Sequence, residues 1–173
     1  DWMLTESRLR ETLQWLSDHG YTTVLPSQII RGDPLPDKAV LLSLDDGYAS
    51  NYTIAYPLFQ EFQAKAVISL LTSRMEDGNP DYLTWDMCQE MAQSGLVEFG
   101  SHTHDLHQDA PLGIKRIEGE SRESYEARVF SDLQTSIDLI HSNLDRPVQF
   151  FAYPSGQTDA WAEGFLREHF SMT

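Results

Sequence analysis

The stretch Lys38-Ala-Val-Leu-Leu-Ser-Leu-Asp-Asp-Gly-Tyr48 decides the fold class of this chain. Its first seven residues are nearly all apolar, as in a strand that is buried on both faces of a parallel sheet. Two adjacent carboxylates, Asp45 and Asp46, follow directly, and Gly47 lets the backbone turn sharply away. We therefore predict a buried strand over residues 38–44 that ends in a polar turn.

Further apolar segments repeat this pattern along the chain, and segments of helical length separate them. Strands are predicted over residues 66–71, 96–99 and 148–153, and from residue 170 onward. Helices are predicted over residues 5–19, 51–62 (regular from Pro57), 85–95 (capped by Thr84) and 160–169, and along the stripe Leu133, Ile137, Ile140 and Leu144; residues 108–123 are predicted to be a polar surface loop. Parallel strands joined by helices predict an α/β fold, either an open layer or an arc of a barrel.

Composition excludes several functional classes. The 173 residues carry 12 Lys and Arg against 27 Asp and Glu, a net charge of −15, so no nucleic acid or anionic lipid partner is expected. No apolar run of about 18 residues is present, so no transmembrane segment is predicted. The single cysteine, Cys88, excludes a disulfide framework, and its helical position predicts a small buried hydrophobe. The length suits one domain over residues 1–173, and the sequence does not indicate an oligomeric state.

Three polar clusters follow predicted strands, where the chemistry of α/β folds gathers. Asp45 and Asp46 end the first strand, the segment Gly100-Ser-His-Thr-His-Asp-Leu-His107 ends the third, and the turn Tyr153-Pro-Ser-Gly156 ends the fourth. Imidazole and carboxylate groups are common ligands of zinc. We predict a metal site formed by Asp46 and two of the three histidines. A second carboxylate, Asp45, is then free to act as a base on a metal-activated water.

Together, the three clusters resemble the motifs of the polysaccharide deacetylases, the NodB-homology domains or family 4 carbohydrate esterases. The order and spacing agree from about Leu13 to Thr173. Two histidines separated by four residues resemble most closely the branch that acts on poly-β-1,6-N-acetylglucosamine. The resemblance implies a distorted (β/α) barrel, here incomplete at its C-terminus because later strands and motifs, including a general-acid histidine, lie beyond Thr173. We interpret His141 and His169 as surface residues, not as substitutes for that acid.

The resemblance also implies an activity: hydrolysis of N-acetyl groups from a cell-surface polysaccharide or exopolysaccharide that contains N-acetylglucosamine. It implies one divalent ion, zinc or else cobalt or nickel, and a location outside the cell or in its envelope. The residues carried over by position are Asp45 as the base, Asp46, His102 and His107 as metal ligands, and the Ser155 amide as an oxyanion donor. We predict that the substrate is bound by Tyr48, His104, Tyr153 and Pro154. One departure is Ala152, which stands where most of the family has an arginine that orients the base.

Two other functions use the same residues. One is a glycan-binding module with weak or no catalysis, and the other is a hydrolase of O-acetyl groups or small amides at the same metal site. Aromatic side chains offer less guidance. Trp85 and Trp161 are favoured as packing residues over sugar-stacking ones, whereas Tyr48 follows the Asp-Asp-Gly turn and is the better candidate for the groove.

Overall fold

A computed structural model of the protein describes residues 4–107 and 113–173. The helices are α1 (Glu6–Asp18), α2 (Pro26–Ile30), α3 (Tyr56–Phe62), α4 (Thr72–Glu76), α5 (Trp85–Gln93), α6 (Arg122–Leu144) and α7 (Glu163–His169). The strands are β1 (Thr22–Thr23), β2 (Ala39–Val40), β3 (Ser43–Leu44), β4 (Ala66–Leu70) and β5 (Val97–Ser101). A π-helical turn, Asn51–Ala55, leads into α3, and a 3₁₀ turn spans Pro154–Gly156.

The strands form two parallel sheets. One pairs β1 with β2, and the other has the order β3-β4-β5, with β4 buried along its whole length. The chain continues this second sheet through single parallel bridges, which join Phe151 to Ser101 and Phe150 to Met172. The predicted α/β class and parallel pairing are confirmed. The strands of the described residues make an open arc and not a closed barrel.

The first predicted strand is wrong in two respects. Residues 38–44 do not form one strand, because β2 pairs with β1 while β3 pairs with β4 in the other sheet. Nor is this segment buried on both faces, since Ala39 and Ser43 are exposed. The physical reason is position: among the strands that are described, β3 is the edge of its sheet, so part of it meets solvent.

Two further segments depart from the prediction. Residues 148–153 form only isolated bridges, although Ser101 N donates to Phe150 O at 2.9 Å and Ala152 N donates to Ser101 O at 3.0 Å. Prolines at 147 and 154 bracket the segment and lack the amide donor that a longer ladder needs. In the predicted surface loop, residues 108–112 lie outside the described residues, and Ile114 is fully buried.

The helix predictions hold where the apolar pattern is long. The long helix α6 packs Val129, Leu133 and Ile140 into the core. Thr84 caps α5 by accepting a hydrogen bond from Met87 N at 3.3 Å, and Cys88 on that helix is fully buried, which raises the pKa of its thiol. None of the helices seen in residues 4–107 and 113–173 has the length and apolar character needed to cross a membrane.

Candidate metal centre

The end of β3 supplies the first part of the site. Asp46 adopts a left-handed backbone with φ 69°, and Gly47 follows with φ 73°. Two successive left-handed residues reverse the chain sharply after the strand. A side chain at position 47 would also collide with the core, since a Cβ atom there would lie 2.9 Å from Leu70 Cδ2. Glycine is therefore favoured at position 47 both by the backbone and by the packing.

The end of β5 brings two imidazoles to the same place. His102 is buried, and His107 lies five residues further on, in a loop that has neither helix nor strand. Each Nε2 atom lies 3.5 Å from Asp46 Oδ1, and the two ring centroids are 5.0 Å apart. One ligand atom from each of these three residues lies within 4.8 Å of the other two. The structure thus brings together the three side chains that the resemblance assigns as ligands.

The hydrogen bonds of these three residues are consistent with a bound cation. The Nδ1 atom of His102 lies 2.9 Å from the carbonyl oxygen of Ala152, which can only accept, so Nδ1 carries the proton and Nε2 keeps a lone pair. Asp46 Oδ1 is buried and, among the described atoms, has no hydrogen-bond partner. A carboxylate oxygen without a partner that faces an imidazole lone pair is unfavourable unless a cation lies between them. The donor set, one oxygen and two nitrogens, is one that zinc accepts.

Burial and nearby charge shift the pKa of His102 in opposite directions. Burial lowers the pKa of His102, while the negative charge of Asp45 acts to raise it, and the net direction is downward. A lowered pKa keeps the imidazole neutral, and only the neutral form can bind a metal. Asp45 is itself exposed and does not belong to the group of potential ligands. One carboxylate therefore remains available beside the site.

The third polar cluster, at residues 153–156, is connected to the site through the backbone carbonyl of Ala152, which precedes it. The Ala152 carbonyl that fixes His102 begins a segment that ends in the turn Pro154–Gly156. Gly156 N donates to Tyr153 O at 3.0 Å, and Gln157 N donates to Pro154 O at 2.9 Å. Ser155 lies at the exposed tip of this turn with a left-handed backbone, φ 53°. The turn is thus tied to the imidazole of His102 only three residues before Ser155.

A match to a known protein family agrees with this geometry. The family model described as polysaccharide deacetylase matches residues 32–169, which is most of the chain. The chain belongs to the polysaccharide deacetylase family.

Individual relatives of this chain agree with the family match. The poly-β-1,6-N-acetyl-D-glucosamine N-deacetylase of Escherichia coli K12 is 30% identical over 188 residues, covering 90% of this chain. The chain spans only 28% of the length of that enzyme. Among solved structures, the BpsB deacetylase domain of Bordetella bronchiseptica has a TM-score of 0.82 at 28% identity, covering 93% of this chain and 74% of that one. A de-N-acetylase of Aggregatibacter actinomycetemcomitans has a TM-score of 0.86 at 29% identity, with 96% and 75% covered.

The remaining predicted site residues contact other parts of the protein. His104 Nδ1 lies 2.9 Å from Thr72 Oγ1, and His104 is outside the group of three potential ligands. Tyr153 Oη donates to Glu163 Oε1 at 3.3 Å, and Pro154 is buried. A substrate-binding role for His104, Tyr153 and Pro154 stays a prediction.

An aromatic pair lies directly beyond the Asp-Asp-Gly turn. The ring of Tyr48, which is 44% exposed, stacks on that of Tyr82 with centroids 4.9 Å apart, and the two backbones form an antiparallel bridge. Sequence analysis missed Tyr82, because no periodic pattern surrounds it. The packing interpretation of the tryptophans agrees with their contacts: Trp85 Nε1 donates to Glu76 Oε1 at 2.9 Å, and Trp161 lies 4.6 Å below the Arg116 guanidinium.

Proposed function

We propose that this chain hydrolyses N-acetyl groups of a polysaccharide that contains N-acetylglucosamine, using one divalent ion held by Asp46, His102 and His107. The observation that carries the proposal is the buried Asp46 oxygen, which has no hydrogen-bond partner among the described residues and lies 3.5 Å from two imidazole nitrogens, in a chain of the polysaccharide deacetylase family. The substrate class is supported by the relative in Escherichia coli, whose name specifies poly-β-1,6-N-acetyl-D-glucosamine. Zinc is the ion we propose first, with cobalt or nickel as substitutes.

The proposed hydrolysis needs three groups: the divalent ion, Asp45 and the amide of Ser155. A bound divalent ion supplies Lewis acidity, which makes water more acidic and polarises the acetamide carbonyl. Asp45, which lies beside the ligands and outside their group, takes the proton of the attacking water. The amide of Ser155 donates to the oxyanion that develops as the water oxygen bonds to the carbonyl carbon. The sugar nitrogen takes up a proton as the carbon–nitrogen bond breaks, which yields acetate and a free amine on the sugar.

The substrate and its location follow from the same proposal. We place the polysaccharide along Tyr48, His104, Tyr153 and the exposed tip of the turn that Pro154 begins, with Tyr48 the most exposed aromatic ring next to the metal ligands. Because such polymers lie outside the cytoplasm, we propose an extracellular or envelope location. The net charge of −15 argues against nucleic acid as a partner.

Acetate release tests the proposal directly. The protein is stripped with a chelator, reloaded with Zn²⁺, Co²⁺ or Ni²⁺, and incubated with N-acetylglucosamine oligomers. We expect metal-dependent release of acetate, reduced at least about 100-fold in Asp45→Asn, the range in which general bases contribute. Asp37→Asn, at an exposed turn before β2, is the matched control and should release acetate at the wild-type rate.

Two results would contradict the proposal. Release from an O-acetyl sugar but not from the amide would favour the esterase function. Oligomer binding without turnover at any of the three metals, unchanged by Asp45→Asn, would favour the glycan-binding module.

A further inference from the structure

Helix α6 carries three polar side chains at a spacing of four residues: Arg128, Asp132 and Ser136. This spacing places them one above the other on a single face of the helix. Ser136 contacts the last residue of β5, and Asp132 and Arg128 contact the chain that follows it. Ser136 Oγ lies 2.8 Å from Ser101 Oγ, and Arg128 donates to the carbonyl of Gly113 at 2.6 Å.

Asp132 makes the most specific of these contacts. Its Oδ1 accepts a hydrogen bond from His104 N at 2.8 Å, and its Oδ2 accepts one from Asp105 N at 2.8 Å. The two carboxylate oxygens therefore accept hydrogen bonds from two consecutive backbone amides, one each. Those amides lie midway between His102 and His107, the two imidazoles that face Asp46.

We call residues 102–107 the metal loop. It has no regular structure, so its amides depend on acceptors other than a helix or strand ladder. His102 N donates to Leu70 O at 2.9 Å, Thr103 N to Ser101 Oγ at 3.1 Å, and Leu106 N to Thr103 Oγ1 at 3.2 Å. With the two bonds to Asp132, five consecutive amides of the metal loop are satisfied.

The metal loop also holds an unfavourable backbone conformation. Thr103 has φ 76°, in the left-handed region, which is rare for a β-branched residue and costs about 1–3 kcal/mol. Such a conformation persists only where the surrounding contacts fix it. Asp132 supplies two of those contacts, directly after the strained residue.

Retaining a carboxylate here is unfavourable in itself. Burial raises the pKa of Asp132, although the hydrogen bonds from His104 and Asp105 act in the opposite direction. Its surroundings therefore make the ionised side chain less favourable than it is in water. Asp132 is costly to bury, and it accepts hydrogen bonds from the backbone between two potential metal ligands. We therefore expect its role to lie in the metal site more than in the stability of the fold.

We propose that Asp132 is a positioning residue of the metal centre. By accepting hydrogen bonds from the middle of the metal loop, Asp132 fixes the separation and the direction of His102 and His107. It thereby sets the affinity of the site for a divalent ion. The inference rests on the proposed metal site. It adds a residue that lies outside all three sequence motifs and acts on the ion only through the backbone.

The variant Asp132→Asn tests this role while keeping the shape of the side chain. One amide oxygen remains as an acceptor, but the NH₂ group now faces the second backbone N–H. We expect the affinity for Zn²⁺, measured by competition with a chromophoric chelator, to fall about 10- to 100-fold, as for other partners that orient metal ligands. The visible absorption spectrum of the Co²⁺ form should change as well, which a loss of overall stability alone would not cause.

The matched control is Asp138→Asn. Asp138 lies on the same helix, is exposed, and accepts a hydrogen bond from Gln134 Nε2 at 2.8 Å. This variant should bind Zn²⁺ as the wild type does. If Asp132→Asn also binds Zn²⁺ with wild-type affinity, the inference is wrong while the proposed function stands. If the wild type itself binds no divalent ion, both are wrong.

Amide hydrogen exchange provides a second measurement that needs no variant. In the metal-free wild type, the amides of His104 and Asp105 should exchange slowly, because each donates a hydrogen bond of 2.8 Å to the half-buried carboxylate of Asp132. Exchange at the rate of the exposed Gly119 amide would overturn the inference even if Asp132→Asn does not fold.

Discussion

Asp46 combines two unfavourable features in one residue. Its backbone is left-handed, which aspartate tolerates better than most residues, and one of its carboxylate oxygens is buried without a partner among the described atoms. Neither feature benefits the fold on its own. Both are explained if the residue has to aim a charged oxygen at a cation shared with His102 and His107.

Replacing Asp46 by asparagine should separate binding from stability. The amide NH₂ of asparagine can donate to an imidazole Nε2, so the metal-free variant should melt at or above the wild-type temperature. Its Zn²⁺ affinity should fall by more than the roughly 100-fold that is typical of an outer partner, because a charged ligand is lost. Thermal unfolding in chelator and a Zn²⁺ competition titration measure the two effects, with Asp37→Asn as the control. A metal-free variant that is clearly less stable than the wild type would argue that the carboxylate has a structural partner.

Gly47 offers a test of the turn after β3. Both Gly47→Ala and Gly20→Ala place an alanine in a left-handed backbone conformation. Only Gly47→Ala also places a Cβ atom 2.9 Å from Leu70 Cδ2, because no atom lies within 4 Å of a Cβ at position 20. The left-handed backbone alone should lower the free energy of unfolding by about 1–2 kcal/mol in Gly20→Ala. The loss in Gly47→Ala should be larger. Urea denaturation measures both values, and equal losses would show that the contact with Leu70 relaxes freely.

At the scale of elements, α6 organises the chain that follows β5. Its apolar face enters the core, while its polar face holds two loops in place. Arg128 illustrates this, because its guanidinium donates to both oxygens of Glu120 at 2.9 Å and to the carbonyls of Gly113 and Lys115. The loop that precedes α6 is thus folded back onto the helix.

This contact predicts a pH effect. The hydrogen bond from Arg128 is the main cause that lowers the pKa of Glu120. A folded-state pKa below the unfolded one means that the unfolded chain takes up the proton first as the pH falls. The stabilisation is therefore present at neutral pH and is lost in acid, below about pH 4. The melting temperature should fall less between about pH 6 and about pH 3.5 in Glu120→Gln than in the wild type. Glu118→Gln, an exposed neighbour, controls for the lost charge, and a fall in Glu120→Gln as large as that in the wild type would contradict the prediction.

The length of a pattern decided how well each element could be predicted. The long helices α1, α5 and α6 follow from apolar periodicity and caps, and β4 from an apolar run that only Ser69 interrupts. The two-residue strand β1 and the five-residue helices α2 and α4 are too short to show a period. Their formation depends on tertiary contacts, such as the hydrogen bond from Ser73 N to His104 O at 3.0 Å.

The site shows the same limit. Residues that are close in sequence, such as Asp45 with Asp46, or His102 with His107, could be recognised together. Placing the two groups side by side required only that parallel strands end at one edge. The contacts of Asp132 and Tyr82 could not be predicted, because neither residue has a local signal and both reach the site through the fold.

In the whole molecule, three segments distant in sequence converge on the metal centre, from the ends of β3 and β5 and from the Ala152 carbonyl. An ion bound there joins parts of the chain that otherwise meet through the open arc of parallel strands. Ion binding should therefore stabilise the whole fold and not only the loops.

Thermal unfolding can measure this coupling. With free Zn²⁺ at about 100 times the dissociation constant, the folded state should gain about 2.7 kcal/mol. The melting temperature should rise accordingly and return to its initial value in chelator. Asp46→Asn should show little of this rise. A rise of equal size in that variant would place the stabilising ion at another site.

The link between Ala152 and His102 has a consequence for how the sequence can change over time. The oxygen that fixes the imidazole tautomer belongs to the main chain, so every amino acid supplies it equally. No point mutation at position 152 can delete that acceptor, and the identity of the residue is released for other uses. An engineer could therefore diversify this position in a library, arginine included, and explore new chemistry around the base without dismantling the coordination sphere.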